Sequence, residues 1–475
     1  MIQVKDTQYN KLIEKVNKEG QQHVFEWWDQ INEDSKKELL KQLKKVDFTL
    51  IERLREQLQE YQKDTSRRKV NMEPPDIITL PKTESQKKRQ KEARKAGEKV
   101  IKKGQVCAFL VAGGQGTRLG YDGPKGTFPI TPVKGKTLFQ LHAEKIQAAA
   151  KRYDITVPWY IMTSETNDKA TKKFFEKNSY FGFHKNDVFF LKQKMLPALD
   201  KNGKFILDRK HHIFESPNGH GGSLLALYEN GALDDMKKRG IEYISYFQVD
   251  NVLTTIIDPV FLGYHVLQQA EMSSKMVRKR TPEEKVGVFG RVNNKLNVVE
   301  YSDMSAEDQQ ARDEKGNLKY SGGNIALHII NADFVREEVE DGFKLPYHIA
   351  HKKIPYFDEH GQPQVPDSPN GYKFETFVFD ALQDTTSSVI MEVAREREFS
   401  PVKNKEGSSS PETAKQDMSN YFATWLEEAG MRVPRDSKGN VNGSIEISPL
   451  YASTLEEFLE KNKENIDYRE CLYIY

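Results

Sequence analysis

The 475-residue chain has only two cysteines, Cys107 and Cys471, far apart in sequence. That spacing excludes a framework of several disulfides and a CxxC metal site. No apolar run approaches the roughly 20 residues that span a bilayer. The segment Met1-Ile2-Gln3-Val4-Lys5-Asp6 lacks the apolar stretch of a signal peptide. Net charge is nearly absent too: 72 Lys+Arg oppose 70 Asp+Glu, a formal +2. Nothing global therefore draws the chain to nucleic acid or to an anionic membrane. These absences lead to the expectation of a soluble, cytoplasmic protein with neither kind of partner. They say nothing about oligomeric state. What the chain does have is length, enough at roughly 150 residues per domain for about three structural units and a large core.

Texture changes along the chain. In the first 70 residues, Val24, Trp27, Trp28 and Ile31, then Leu39, Leu40, Leu43, Val46 and Phe48, recur near helical spacing. Pro74, Pro75 and Pro81 break that pattern. Lys82 to Lys103 then carries ten Lys/Arg against three Glu. With no aromatics interleaved for base stacking, this run reads as a solvated helix face. Val106 to Ala112 is a short continuous apolar run, as in a strand buried on both faces. A helix is expected over 137–152, strands over 157–162 and 243–249, and a helix over 223–230 that stops at Gly231. Val286–Val292 and Leu296–Tyr301 read as strands paired across Asn293-Asn294-Lys295. Strand and helix in alternation predict an α/β fold with a central, mostly parallel sheet flanked by helices. The expected spans are a helical region 1–103, a nucleotide-binding domain with a β insertion over 104–404, and a small C-terminal domain over 405–475.

The most informative segment is Ala112-Gly113-Gly114-Gln115-Gly116-Thr117-Arg118-Leu119-Gly120, followed by Gly123-Pro124-Lys125-Gly126. It comes directly after the first buried strand, where α/β sheets collect ligands. Glycines let backbone N–H groups approach phosphate oxygens, and Arg118 and Lys125 add positive charge beside them. A Walker loop is excluded, because Ile130 stands where Gly135-Lys136-Thr137 requires a leading glycine. A dinucleotide fingerprint is weak: Gly114, Gly116 and Gly120 are spaced GxGxxxG, and no acidic residue sits at the ribose-reading distance. The third reading is a nucleotidyltransferase loop whose cations hold a departing pyrophosphate. The bland alternative is a tight turn with two surface cations.

This segment closely resembles the signature of eukaryotic-type UDP-sugar pyrophosphorylases, and most of all that of the UDP-N-acetylhexosamine pyrophosphorylases. The resemblance continues in order through Gln193-Lys194-Met195-Leu196-Pro197-Ala198, Pro217-Asn218-Gly219-His220-Gly221-Gly222, Val249-Asp250-Asn251 and Val299-Glu300-Tyr301-Ser302. It goes on through Gly323-Asn324-Ile325-Ala326, His351-Lys352-Lys353-Ile354-Pro355-Tyr356, Phe377-Val378-Phe379-Asp380, Phe399-Ser400-Pro401-Val402-Lys403-Asn404 and Glu446-Ile447-Ser448-Pro449-Leu450. It implies a Rossmann-like, nucleotidyltransferase type A sheet. It also implies an Mg2+-dependent enzyme that joins UTP and a sugar 1-phosphate, releasing pyrophosphate.

Carried over residue by residue, the resemblance implies that Arg118, Lys125 and Lys403 serve the reacting phosphates and that Asp250 holds the metal. Gly113, Gly114, Gln193 and Gly219 map to uridine, which an amide and backbone groups can read. Glu300, Asn324, Phe377 and Phe379 map to the sugar, although core packing accounts equally well for the two phenylalanines. His220 departs from the pattern: the acetylhexosamine enzymes generally carry Asn there, whereas the UDP-glucose enzymes have Gly-His-Gly. Lys194 also replaces a usual Gly. The rest of the map favours GlcNAc-1-phosphate, with glucose-1-phosphate as the rival. The competing class is a nucleotide-sugar binder without turnover, which would not need four phosphate-handling residues.

Overall fold

The computed structural model describes residues 2, 7–63, 71–462 and 468–475. Residues 64–70 of the expected helical region lie outside these. The chain forms two compact units, one of Met1–Arg68, Lys194–Gly222 and Leu345–Val378, the other of Lys69–Gln193, Ser223–Lys344 and Phe379–Tyr475. Both are assembled from discontinuous segments, unlike the three consecutive spans expected from the sequence.

In the first unit lie helices α1 (Thr7–Lys18), α2 (Glu33–Lys45) and α3 (Phe48–Lys63); of the predicted apolar positions, Leu39, Leu40 and Leu43 fall on α2 and Phe48 opens α3. Asn32 caps α2 by accepting the Ser35 N–H at 2.9 Å. Leu39, Leu43, Ile51 and Leu54 bury against Leu199, Phe205 and Phe374. Trp27 and Trp28 differ from expectation, because Gln22–Phe25 and Trp28–Gln30 are single 3-10 turns. Packing decides the local conformation there: Trp28 meets Phe25 edge to face, centroids 5.7 Å apart. His348–Lys352 pairs antiparallel with Gly371–Glu375 in the same unit.

The second unit is built on a ten-stranded sheet. Its strands are β1 (Met72–Glu73), β2 (Val106–Val111), β3 (Trp159–Thr163), β4 (Val188–Lys192), β5 (Tyr243–Gln248) and β6 (Met272–Arg278). β7 (Val288–Val292), β8 (Lys295–Val299), β9 (Gly322–Asn331) and β10 (Ser388–Glu392) complete it. The run β5-β2-β3-β4 is parallel throughout, as is β6-β10. β9 enters antiparallel between β5 and β6 and carries the β7–β8 hairpin beyond it. The hairpin turn is only two residues long, with Lys295 already in the strand opposite Val292. Asn293 and Asn294 both take left-handed φ (52° and 64°), the geometry that matches strand twist.

The basic run becomes helix α4 (Glu84–Lys102), opened by a Thr83–Gln86 capping box. It buries Ala93, Gly97, Val100 and Ile101 and leaves most of its lysines in water. Helices α5 (Leu138–Tyr153), α6 (Pro259–Leu267) and α7 (Pro411–Glu428) are among those that add to the cover. Trp425 of α7, Ile445 and Leu472 share one hydrophobic core with Leu110 and Phe247 of the sheet. The C-terminal segment is thus continuous with the unit that carries the glycine loop. No described helix is long and apolar enough to cross a membrane.

Candidate functional site

Strands β2 and β5 lie side by side with Val111 level with Gln248. The loops that follow them therefore leave from the same carboxyl edge, where open α/β sheets bind ligands.

The first loop contains Gly113 and Gly114. It is closed by the Gly116 N–H donating to Gly123 O (2.9 Å) and the Lys125 N–H donating to Gly114 O (3.1 Å). Two buried residues brace it from below. Ser164 Oγ donates to Gly113 O at 2.8 Å, and Asn167 Nδ2 donates to Ala112 O at 2.9 Å and Gly114 O at 3.2 Å. A Cβ on Gly113 would lie 2.6 Å from Gln193 Oε1, so only glycine lets that amide lie against the loop. Gly114 is exposed, with open space where its Cβ would be. Arg118 projects from the exposed part of the turn Thr117–Leu119.

The second loop carries Asp250. Its Oδ2 is 3.2 Å from Lys125 Nζ, with the two side chains 11% and 15% exposed. The Val402 N–H donates to Asp250 O at 2.9 Å. Asn251 fastens the neighbouring segment at two points, its Nδ2 donating to Glu398 O (2.7 Å) and its Oδ1 accepting the Ser400 N–H (2.9 Å). This stitching places exposed Lys403 immediately beside the Asp250 strand end. The Lys405 side chain comes within 3.5 Å of where a Cβ on Gly120 would stand, which brings the 403–405 turn to the glycine loop.

Behind this front lie two buried charge arrangements. His142 Nε2 donates to Val249 O at 3.0 Å; burial pushes its pKa down to about 3 and keeps the ring neutral. Lys275 pairs with Asp258 (2.8 Å) and Glu398 (3.0 Å). Burial works against its charge, and the two carboxylates outweigh burial, raising its pKa above the ordinary value.

Glu300 and Asn324 meet at Gly287, away from the glycine loop in sequence. A Cβ on Gly287 would lie 2.8 Å from Glu300 Oε1, and Gly287 O accepts the Asn324 N–H at 2.8 Å. Phe379 is 5% exposed, a packed position. The first unit holds Gly219, His220 and Phe377. Gly219 has a φ of +81° and sits against the Thr376 backbone. The His220 ring stacks on Phe377 (5.3 Å, 28°), and its Nδ1 accepts the Val378 N–H at 3.2 Å.

The second unit thus brings Gly113, Gly114, Lys125, Gln193, Asp250 and Lys403 to one loop cluster, with Glu300 and Asn324 as a separate pair. Sequence reasoning missed Ser164 and Asn167. The available signal was a polar Ser164-Glu165-Thr166-Asn167 turn at the end of a fully buried strand. Among the described residues no group of three or more His, Cys, Asp or Glu is placed to hold a metal ion.

The family model for UTP–glucose-1-phosphate uridylyltransferase matches residues 51–460. The UDP-N-acetylhexosamine pyrophosphorylase-like protein 1 of Xenopus tropicalis is 37% identical over 94% of this chain and 93% of its own length. The UDP-N-acetylglucosamine pyrophosphorylase of Saccharomyces cerevisiae is 37% identical over 86% of this chain and 90% of its own. The crystal structure of the Trypanosoma brucei uridine diphosphate N-acetylglucosamine pyrophosphorylase superposes with a TM-score of 0.82 at 29% identity, covering 100% of this chain and 99% of that one. With the loop cluster at the edge of a parallel sheet, these likenesses establish that the chain belongs to the UTP–glucose-1-phosphate uridylyltransferase family of UDP-sugar pyrophosphorylases.

Proposed function

We propose that the protein joins UTP and N-acetylglucosamine 1-phosphate to give UDP-N-acetylglucosamine and pyrophosphate. It is a nucleotidyltransferase, and the named activities of its relatives favour this sugar over glucose. The observation that carries the reading is the Lys125–Asp250 pair, 3.2 Å apart at the carboxyl ends of two adjacent parallel strands.

In this reading the uracil lies along Gly113 and Gly114 with Gln193 beside it. The sugar phosphate oxygen attacks the α-phosphorus in line with the departing pyrophosphate. No covalent nucleophile on the protein is needed, so rate enhancement comes from alignment and from spreading negative charge. Lys125, Arg118 and Lys403 take that charge as it shifts to the leaving group. Glu300 and Asn324 take sugar hydroxyls.

Asp250 is a lone carboxylate, which suits Mg2+ completed by substrate phosphate oxygens and water rather than an all-protein cage. When bound there, Mg2+ supplies Lewis-acid neutralisation of the phosphates. A cytoplasmic setting is supported by the two cysteines, both free thiols, one of them exposed.

The test is pyrophosphate release from UTP with Mg2+, run in parallel with GlcNAc-, GalNAc- and glucose 1-phosphates. Preference for GlcNAc-1-phosphate is expected. Preference for glucose-1-phosphate would overturn the sugar, and no release from folded, UTP-binding protein would overturn the reaction.

A further inference from the structure

Strand β5 leaves the sheet at Gln248, so the backbone carbonyls beyond it need partners other than a neighbouring strand. Three of those carbonyls are met from one face of α5. His142 Nε2 donates to Val249 O at 3.0 Å, and Lys145 Nζ donates to Val252 O at 2.6 Å and Thr254 O at 2.9 Å. The two side chains stand three residues apart on the helix and are therefore neighbours on its surface. Together they grip the chain one residue before Asp250 and two and four residues after it.

The grip is anchored in packed structure. His142 is fully buried and meets Phe247 edge to face, centroids 5.3 Å apart. Leu138, Phe139, Leu141 and Ile146 of α5 share one core with Phe247 and Val249. Lys145 is half-buried, and the loss of water around its Nζ lowers its pKa to about 7. Its acceptors are carbonyls rather than carboxylates, and a neutral amine keeps two N–H donors, one for each. Hydrogen-bond geometry rather than charge is thus what Lys145 supplies. On the other side of the same segment, the Val402 N–H donates to Asp250 O at 2.9 Å and the Val252 N–H to Ser400 O at 3.3 Å.

We propose that Lys145 and His142 are positioning residues, which set the aim of the Asp250 carboxylate through the backbone on either side of it. The proposal rests on the uridylyltransferase reading, in which Asp250 serves the reacting phosphates. Misplacing a reacting group by about 1 Å costs on the order of 10²-fold in rate. Releasing three carbonyls around Asp250 should therefore act on turnover beyond any loss of stability.

Lys145→Met keeps the length of the side chain and removes its donors. Ile146→Ala, next to it on α5, opens a void in the same core but removes no donor to residues 249–254, and so controls for destabilisation. In Lys145→Met, kcat should fall about 10–100-fold, with KM for the sugar phosphate within threefold. The amides of residues 250–255 should exchange with solvent about tenfold faster in that variant. Ile146→Ala should keep both kcat and that exchange within threefold of the parent, although urea unfolds it sooner. His142→Leu should repeat the loss of kcat, and His142→Gln, whose amide nitrogen stands near the place of Nε2, should recover most of it. A folded Lys145→Met with kcat within twofold of the parent, an equal fall in Ile146→Ala, or unchanged exchange at 250–255 would overturn the proposal. The two His142 variants decide the matter if Lys145→Met does not fold. If the parent is inactive with every sugar, the uridylyltransferase reading falls on that result alone, and exchange at 250–255 still decides whether the two side chains hold the segment.

Discussion

The Lys125 ammonium and the Asp250 carboxylate meet at 3.2 Å although 125 residues separate them in the chain. Each arrives from the end of a different strand, and each side chain retains only a sliver of exposure. In the proposed reading the pair awaits a polyphosphate and its cation, each of which can replace one partner.

Asp250→Asn and Lys125→Met should each lower turnover by about 10²–10³-fold. Loss of stability should stay within about 2 kcal/mol, since water can reach the remaining partner. Pyrophosphate release and urea unfolding on the same preparations check both halves. Full activity in either variant would remove the pair from the chemistry.

Asn167→Ala leaves the carbonyls of Ala112 and Gly114 and the N–H of Ser164 without their buried partner. The expected cost is about 1–3 kcal/mol in stability. A rise in KM for UTP should exceed any fall in kcat, because the loop proposed to hold the nucleotide loses its brace. Ser164→Ala should show the same pattern at smaller size.

Two glycines separate packing from binding. A Cβ on Gly126 would overlap the Phe139 ring, whereas one on Gly114 meets nothing. Gly126→Ala should destabilise by about 1–3 kcal/mol. Gly114→Ala should unfold within about 0.5 kcal/mol of the parent and still lose kcat/KM for UTP. Equal stability of the two variants would contradict this assignment.

Acid should weaken the fold through buried histidines. Burial holds His142 at about 3 and His265 at about 4, both neutral in the folded state. In the unfolded chain they protonate near 6.5, so between about pH 6.5 and 4 the unfolded state binds more protons and stability falls as pH falls. At pH 4.5, two units below the unfolded value, each contributes a loss of about 2–3 kcal/mol. Chemical denaturation at pH 7 and 4.5 should show that slope, and His142→Asn should reduce it.

His220→Asn tests sugar choice. It removes the ring stacked on Phe377 while leaving a side-chain acceptor for the Val378 N–H. The ratio of kcat/KM for GlcNAc-1-phosphate over glucose-1-phosphate should rise, within the 10–200-fold span that one pocket contact commands. An unchanged ratio would confine His220 to packing.

The parallel strands, the glycine loop and Asp250 were legible in the sequence because each is a local pattern: a continuous apolar run, clustered glycines, an acid at a strand end. The antiparallel entry of β9 between β5 and β6 was not, since strand direction depends on long-range pairing that an apolar run does not encode. Trp27 and Trp28 misled because bulky residues at helical spacing also fit successive 3-10 turns when they pack on each other. Ser164 and Asn167 act through hydrogen bonds to backbone carbonyls, and carbonyl partners leave no trace in residue identity.

The Val402 N–H closing on Asp250 O has a consequence for how the protein is made. Lys125 and Asp250 leave the ribosome first, and the segment that finishes their setting, with Lys403, follows more than 150 residues after Asp250. Domains organised by such distant pairings fold slowly and as wholes. In the proposed reading, a nascent chain halted before residue 403 would hold both halves of the charge pair and remain catalytically silent.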